Sequence, residues 1–261
     1  MVTALLLSGG TGTRMGVETP KQYIEVKGKP VIACCLRTLL SHEGIDAVQI
    51  VADGMWRETI LQCADDLCDG RTGNGSVGNR DHSEKSSVAH ARDRDKIRGF
   101  SKPGKTRQLS ILSGLEDIRR YAGDSDYVLI HDAARPLVTA KQISDCLDAA
   151  AAGYDGALPV LPMKDTVYYS EDGRAVTSLL ERSRIFAGQA PEIFVLGKYY
   201  EANQRLMPEK ILAINGSTEP AVMAGMDIAM IPGDEGNFKI TTMADLERFR
   251  ERISGRVDIE Q

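Results

Sequence analysis

The sequence predicts an α/β fold, a mostly parallel sheet flanked by helices, with a β arm projecting from it. Three observations carry that expectation. Apolar runs of strand length alternate with amphipathic helical stretches along most of the chain, the pattern left when helices cross over between parallel strands. The first apolar run leads straight into a glycine-rich loop, Ser8-Gly9-Gly10-Thr11-Gly12. A turn signal, Glu171-Asp172-Gly173-Arg174, lies inside a short polar stretch, which reads as a hairpin.

The elements follow in order. Residues 2–7 form a first strand, because an unbroken apolar run of that length suits a strand covered on both faces. Pro30 opens a helix over 31–40, proline being preorganised for a first helical turn. A second strand occupies 47–52 and a second helix 56–68. Residues 69–99 then lose every period, with five hydrophobic residues, seven bases and five acids, a local charge of 7 − 5 = +2. This stretch is expected to be a flexible surface insertion, since long loops add little closure entropy; a lid or partner-binding segment is the alternative. A helix over 106–121 carries Leu109, Leu112, Leu115 and Ile118 on one stripe. A buried strand at 127–130 ends in His131-Asp132, and a helix (140–151) and a strand (157–160) come next. The hairpin arm covers 165–178, followed by a helix at 197–206, a strand at 227–231 and a last helix at 243–253. No repeat or linker interrupts the 261 residues, so the expectation is a single Rossmann-like domain with its arm at about 164–190.

At 42% hydrophobic the chain can build a core, and 32 basic against 37 acidic residues leave a net charge of −5. No global basic field exists to attract nucleic acid or a membrane surface. The N-terminal apolar run is too short to span a bilayer and has no basic flank. The five cysteines, Cys34, Cys35, Cys63, Cys68 and Cys146, form no CxxC pair. Zinc-ribbon and thioredoxin chemistry are therefore unsupported, and reduced thiols in a cytoplasmic protein are expected.

Chemistry concentrates first in the glycine loop. Its glycines run G-x-G-x-x-x-G through Gly16, one residue too long for the dinucleotide fingerprint, and no Gly-Lys-Ser/Thr follows for a P-loop. Glycines still let backbone N–H groups approach an anion closely. Arg14 inside the loop and Lys21 in Pro20-Lys21-Gln22 add two cations, so a polyphosphate ligand is expected on Ser8, Gly9, Gly10, Gly12, Arg14 and Lys21.

Ser-Gly-Gly-Thr-Gly-Thr-Arg-Met-Gly followed by Pro-Lys-Gln-Tyr resembles the opening of the cytidylyltransferases that charge a small polyol phosphate with CTP. That family includes the enzymes acting on 2-C-methyl-D-erythritol 4-phosphate and on ribitol 5-phosphate. The resemblance spans nearly the whole chain outside 69–99. It returns in Arg107-Gln-Leu-Ser110-Ile-Leu-Ser-Gly114, His131-Asp132-Ala-Ala-Arg135-Pro136, Lys164-Asp165-Thr166-Val167 and Gly236-Asn237-Phe238-Lys239-Ile240-Thr241-Thr242.

The reaction this resemblance implies is attack of the acceptor phosphate on the α-phosphorus of CTP, with pyrophosphate leaving. A phosphate dianion is already nucleophilic, so catalysis reduces to positioning and charge stabilisation. The resemblance implies that Arg14 and Lys21 hold the triphosphate, with Lys21 and Lys239 flanking the reacting phosphorus. Gly104, Arg107 and Ser110 would recognise cytosine. Asp132 ends a buried strand where open sheets place ligands, and a carboxylate facing a triphosphate implies a divalent cation such as Mg²⁺ between them; a helix N-cap is its rival role. Arg135 would face the polyol phosphate. The arm would form a homodimer, so that Thr166 and Arg182 contact the acceptor in trans, with Arg184 a competitor for that place. His131 reads as structural.

Two departures from the family pattern stand out. Lys102-Pro103-Gly104-Lys105 occupies the place of two glycines and an acid, which bears on the preference for CTP. Gly188-Gln189-Ala190-Pro191-Glu192 stands at the family's Gln-Thr-Pro-Gln, so Ala190 lacks a hydroxyl. One lost hydrogen bond to a phosphate costs about 1.5–3 kcal/mol; Ser217, in Ser217-Thr218-Glu219, is the substitute donor from the opposite wall. The leading expectation is CMP transfer to 2-C-methyl-D-erythritol 4-phosphate in isoprenoid precursor synthesis. Ser-Gly-Gly in the first loop and the Gly-Gln before the proline lean instead to ribitol 5-phosphate. The third reading is a nucleotide-binding regulator that has lost turnover.

Overall fold

The computed structural model describes residues 1–10, 16, 18–68 and 93–257. Twelve strands and seven helices are labelled here among them. The strands are β1 (Val2–Leu7), β2 (Glu25–Val26), β3 (Lys29–Pro30), β4 (Ala47–Val51), β5 (Ile97–Ser101), β6 (Tyr127–Asp132), β7 (Gly156–Pro162), β8 (Val167–Tyr169), β9 (Ser178–Leu180), β10 (Phe186–Gly188), β11 (Glu192–Val195) and β12 (Ile228–Pro232). The helices are α1 (Ile32–Ser41), α2 (Arg57–Cys68), α3 (Arg107–Ile118), α4 (Ala140–Ala151), α5 (Leu196–Gln204), α6 (Glu219–Met223) and α7 (Met243–Val257).

An eight-stranded sheet runs β10-β7-β11-β6-β1-β4-β5, with β12 on the other edge of β7. The pairs β1–β4, β1–β6, β4–β5 and β12–β7 are parallel, while β10 and β11 are antiparallel insertions. The apolar runs are continuous because both faces are covered. Ala4 and Leu6 of β1 pack with Ile32, Leu36 and Leu39 of α1 and Ile143 of α4 on one face. Leu5, pointing the other way, joins Ile111, Leu115 and Ile118 of α3 and Tyr199 of α5 on the second. A smaller cluster of Val31, Leu137, Ile240, Leu246 and Phe249 seats α7 against the sheet end.

Caps set where helices begin. Thr106 accepts from the Leu109 N–H at the start of α3, and Thr139 with Gln142 forms a capping box on α4. At α7, Asp245 Oδ2 accepts from the N–H and hydroxyl of both Thr241 and Thr242 at 2.8–2.9 Å, while its own N–H returns to Thr242 Oγ1 at 3.2 Å. Burial works against the Asp245 charge, but these donors outweigh it and lower its carboxyl to about 2. A depressed carboxyl stabilises the fold above its ordinary range and loses that contribution as pH falls toward 2. Asp245→Ala is therefore expected to cost about 1–2 kcal/mol in urea unfolding at pH 7, with the deficit against the parent shrinking near pH 2.

Two details depart from the sequence reading, and a third agrees with it. The insertion expected over 69–99 ends earlier, because Ile97–Ser101 pairs in parallel with β4 and half-buries Ile97 and Phe100 against the core. Pairing with an already formed edge, rather than local pattern, makes that strand. The remainder expected to be flexible, 69–92, lies outside the described residues. Pro30 sits in β3 opposite Glu25, and α1 starts two residues later. The arm is a hairpin of β8 and β9, as its turn residues predict, with Gly173 at φ +71°.

Burial raises the thiols of Cys35, Cys63 and Cys146 well above their ordinary range, which disfavours the reactive thiolate. Among the described residues no helix is long and apolar enough to cross a membrane.

Candidate active site

The parallel strands β1, β4, β5 and β6 all end at one edge, and the residues singled out in the sequence gather there. Ser8, Gly9 and Gly10 leave β1, Gly104 follows β5, and Asp132 is the last residue of β6. Antiparallel β11 begins at the same edge, with Glu192 opposite Ile130. The 233–239 loop arrives there after β12, tied in by the Ile240 N–H donating to Ala134 O at 2.8 Å.

The motif Pro20-Lys21-Gln22-Tyr23 shapes the glycine loop from beneath. Gln22 Nε2 donates to the carbonyls of Ser8 and Gly10 at 2.8 and 2.7 Å. Ser8 Oγ donates to the Tyr23 hydroxyl at 2.6 Å, which itself donates to Ser8 O at 3.0 Å. Tyr23 stacks on Trp56 at 4.1 Å, and burial pushes its phenol up to about 12. With these carbonyls turned inward, Gly10 remains exposed at the open side. Two glycines are steric necessities. A Cβ on Gly9 would lie 2.5 Å from Pro103 Cβ, and one on Gly104 would lie 2.5 Å from Leu109 Cβ and 2.9 Å from the Ser110 nitrogen. These contacts press the first loop against the 102–104 turn. Ser110 Oγ accepts from the Gly104 N–H at 2.9 Å, fixing that turn to α3. Gly12 and Arg14 lie outside the described residues; Lys21 is half-buried at the loop's base.

At the centre is a charged network. Arg107 aims Nε and Nη2 at Asp132 Oδ1, at 3.1 and 2.9 Å, and Nη1 at Ser217 Oγ, at 2.9 Å. Lys239 Nζ takes the other oxygen, Asp132 Oδ2, at 2.7 Å. Burial alone would raise the Asp132 carboxyl, but Arg107, Lys239 and Arg135 together hold it far below the ordinary carboxylate range. Ser217, 1% exposed, donates to Glu192 Oε1 at 2.6 Å, and Thr218 donates to Glu192 Oε2 at 2.7 Å. Burial raises the Glu192 carboxyl, opposed by Arg107 and the two hydroxyls.

Arg135 donates from Nη1 to Asn237 O at 2.7 Å, while its buried Nε has no partner among the described residues. Burial lowers its pKa, although Asp132 and Glu192 pull the other way. The residue as a whole is half-buried rather than enclosed. His131 is fully buried, with Nε2 on Arg135 O at 2.9 Å, and burial lowers it to about 4. It is neutral near pH 7 and props the Arg135 backbone, in keeping with the structural role read from the sequence.

The arm residues stand apart. Thr166 is exposed, and Arg182 donates to Lys164 O at 2.7 Å at the base of the arm. Arg184 is likewise exposed and pairs with Glu181. Asp132 closes a strand, where the sequence reading put it. Two positions look different from theirs. Arg107 spends its guanidinium on Asp132 and Ser217 instead of the turn that adjoins Gly104. Ser217 is enclosed rather than open to the site. Glu192, Thr218 and Asn237 were given no site role from sequence, although each lies inside a motif already singled out there.

Among the described residues no group of three or more His, Cys, Asp and Glu side chains could hold a metal ion. The donor set suits a cation that relies on its substrate. Mg²⁺ is commonly held by one or two carboxylates with the rest of its shell from phosphates and water, and Asp132 is one carboxylate, now held by Arg107 and Lys239.

A family model described as 2-C-methyl-D-erythritol 4-phosphate cytidylyltransferase (IspD) matches residues 2–70 and 77–252. A curated 2-C-methyl-D-erythritol 4-phosphate cytidylyltransferase from Rubrobacter xylanophilus is 33% identical over 248 residues, 93% of this chain and 90% of the relative. A bifunctional enzyme IspD/IspF from Bradyrhizobium diazoefficiens is 31% identical over 255 residues, and the chain spans 56% of its length. The solved 4-diphosphocytidyl-2C-methyl-D-erythritol synthase of Anaerococcus prevotii shares the fold, with TM-score 0.73 at 20% identity over 97% of this chain and 96% of that one.

Proposed function

Because the chain belongs to the 2-C-methyl-D-erythritol 4-phosphate cytidylyltransferase family, we propose that it transfers CMP from CTP to 2-C-methyl-D-erythritol 4-phosphate and releases pyrophosphate. The observation that carries this reading is Asp132 gripped by Arg107 and Lys239 beside a glycine loop at the carboxyl edge of the sheet.

An acceptor phosphate oxygen attacks the α-phosphorus, a new P–O bond forms, and the bond to the β-phosphate oxygen breaks. No proton must be removed from a dianion, so the residues work by placing and neutralising charge. The backbone of Ser8, Gly9, Gly10 and Gly12 cradles the triphosphate with Arg14 and Lys21. Gly104 and Ser110 shape the turn that meets the base. Lys239 exchanges its hold on Asp132 for the reacting phosphate, and the half-buried Arg135 faces the acceptor phosphate. Ser217 serves the acceptor side indirectly, by holding Arg107. Mg²⁺ bound between Asp132 and the triphosphate would offset their mutual repulsion.

The whole chain acts as one nucleotidyltransferase domain, working in the cytoplasm as a homodimer. The arm supports that reading: Tyr168, Tyr169, Val176, Leu179 and Phe186 are all exposed on a hairpin or beside it. A two-stranded hairpin is marginal alone, and an apolar patch of this kind is what a partner covers. Thr166 and Arg182 then reach the neighbouring acceptor site.

Pyrophosphate release measured with CTP and each acceptor tests the reaction. Release is expected with 2-C-methyl-D-erythritol 4-phosphate and not with ribitol 5-phosphate. Release with ribitol 5-phosphate alone would move the acceptor assignment. Tight CTP binding with neither acceptor turned over would establish the regulator instead.

A further inference from the structure

We propose that Glu192 is a positioning residue that locks Arg107 in register on Asp132, through the Ser217 hydroxyl, and so leaves the second Asp132 oxygen to Lys239. This extends the cytidylyl-transfer reading and rests on it.

The argument is directional. Glu192 is 7% exposed, and both of its oxygens accept hydroxyl hydrogens, from Ser217 at 2.6 Å and Thr218 at 2.7 Å. An ionised carboxylate can only accept. Ser217 has one hydrogen, and Glu192 takes it, so the hydroxyl is held with its lone pairs turned to its other neighbour. That neighbour is Arg107 Nη1, at 2.9 Å. With Nη1 fixed, the planar guanidinium has its remaining edge, Nε and Nη2, set on Asp132 Oδ1. Oδ2 is thereby reserved for Lys239. The Tyr199 hydroxyl donates to Ser217 O at 2.6 Å, so the Ser217 backbone is held independently and its hydroxyl remains the variable part. A glutamine could turn its amide nitrogen toward Ser217, and the hydroxyl hydrogen would then lose the acceptor that keeps its lone pairs facing Arg107.

Glu192→Ala is expected to lower kcat about tenfold with the KM for CTP changed less than about twofold, the scale typical of groups that orient active-site ligands. Glu192→Gln should fall between parent and alanine. In a double-mutant cycle the Glu192→Ala effect on kcat should drop below about threefold once Ser217→Ala is present, because the relay is already broken. A second readout needs no turnover. The Arg107 Nε–H resonance, assigned by its loss in Arg107→Lys, should exchange slowly in the parent, faster in Glu192→Gln and fastest in Glu192→Ala. If Glu192→Ala does not fold, Glu192→Gln carries the same comparison. Additive effects in the cycle, or an Arg107 resonance indifferent to both variants, would overturn the proposal. Absence of turnover in the parent would refute the cytidylyl-transfer reading alone, since the resonance still reports the lock.

Discussion

Lys239→Ala is expected to reduce turnover about a hundredfold to a thousandfold, the cost of removing one preorganised charge from a developing anionic transition state. Lys239 is suited to that role by its hold on Asp132. Its Nζ sits 2.7 Å from Oδ2 with the side chain one-third exposed, close enough to be preplaced and open enough to be handed to an incoming phosphate. The fold should survive. Asp132 keeps its two bonds from Arg107, and the loop stays anchored by Ile240 on Ala134 and by Asn237 Nδ2 donating to Ala190 O at 2.7 Å. The thermal midpoint is therefore expected to move little while kcat collapses. Wild-type turnover in a folded Lys239→Ala enzyme would remove Lys239 from the site.

Asp132→Ala should be worse for both stability and activity. The carboxylate is enclosed and faces Arg107, Lys239 and Arg135. Its removal strands Arg107, Lys239 and Arg135, with Glu192 left to act on the two arginines. Breaking one partner of such a buried arrangement costs about 3–5 kcal/mol, measurable as a shift in urea midpoint at unchanged slope. Asp132→Asn preserves the shape and one acceptor oxygen, so it should recover part of the stability and little of the turnover. The acid behaviour has a definite sign. Since the folded carboxyl lies below its ordinary value, its contribution is full above pH ~4 and disappears as pH falls further. Parent and Asp132→Asn should therefore approach one another in stability below that range. If Asp132→Ala were as stable as the parent at pH 7, the network would not be the electrostatic centre of the fold.

Much of the site was legible before any coordinates. Asp132 was marked by its place at the end of an apolar strand, and the glycine loop by the strand ahead of it. Gln22 and Tyr23 were visible as part of a motif, but not as the props of the loop, because their contacts span 12 to 15 residues of chain. Ile97–Gly99 falls in the stretch read as loop, since only two residues of Ile97–Ser101 are apolar and its strand state depends on β4 beside it. Glu192 was unreadable for a similar reason. A glutamate heading a short run looks solvated until β6, α3 and the 217–218 turn close over it.

Sequence by itself determined the alternation that makes a parallel sheet, the hairpin arm with its glycine turn, and the family, because these depend on neighbours within a few residues or on motifs in fixed order. Only the tertiary structure decided who answers to whom. Arg107 is three helical residues from Ser110, yet its guanidinium belongs to Asp132, 25 residues on, and to Ser217, 110 residues on. Charges choose partners by distance in space and by the loss of water around them, and neither quantity is written in the order of the chain.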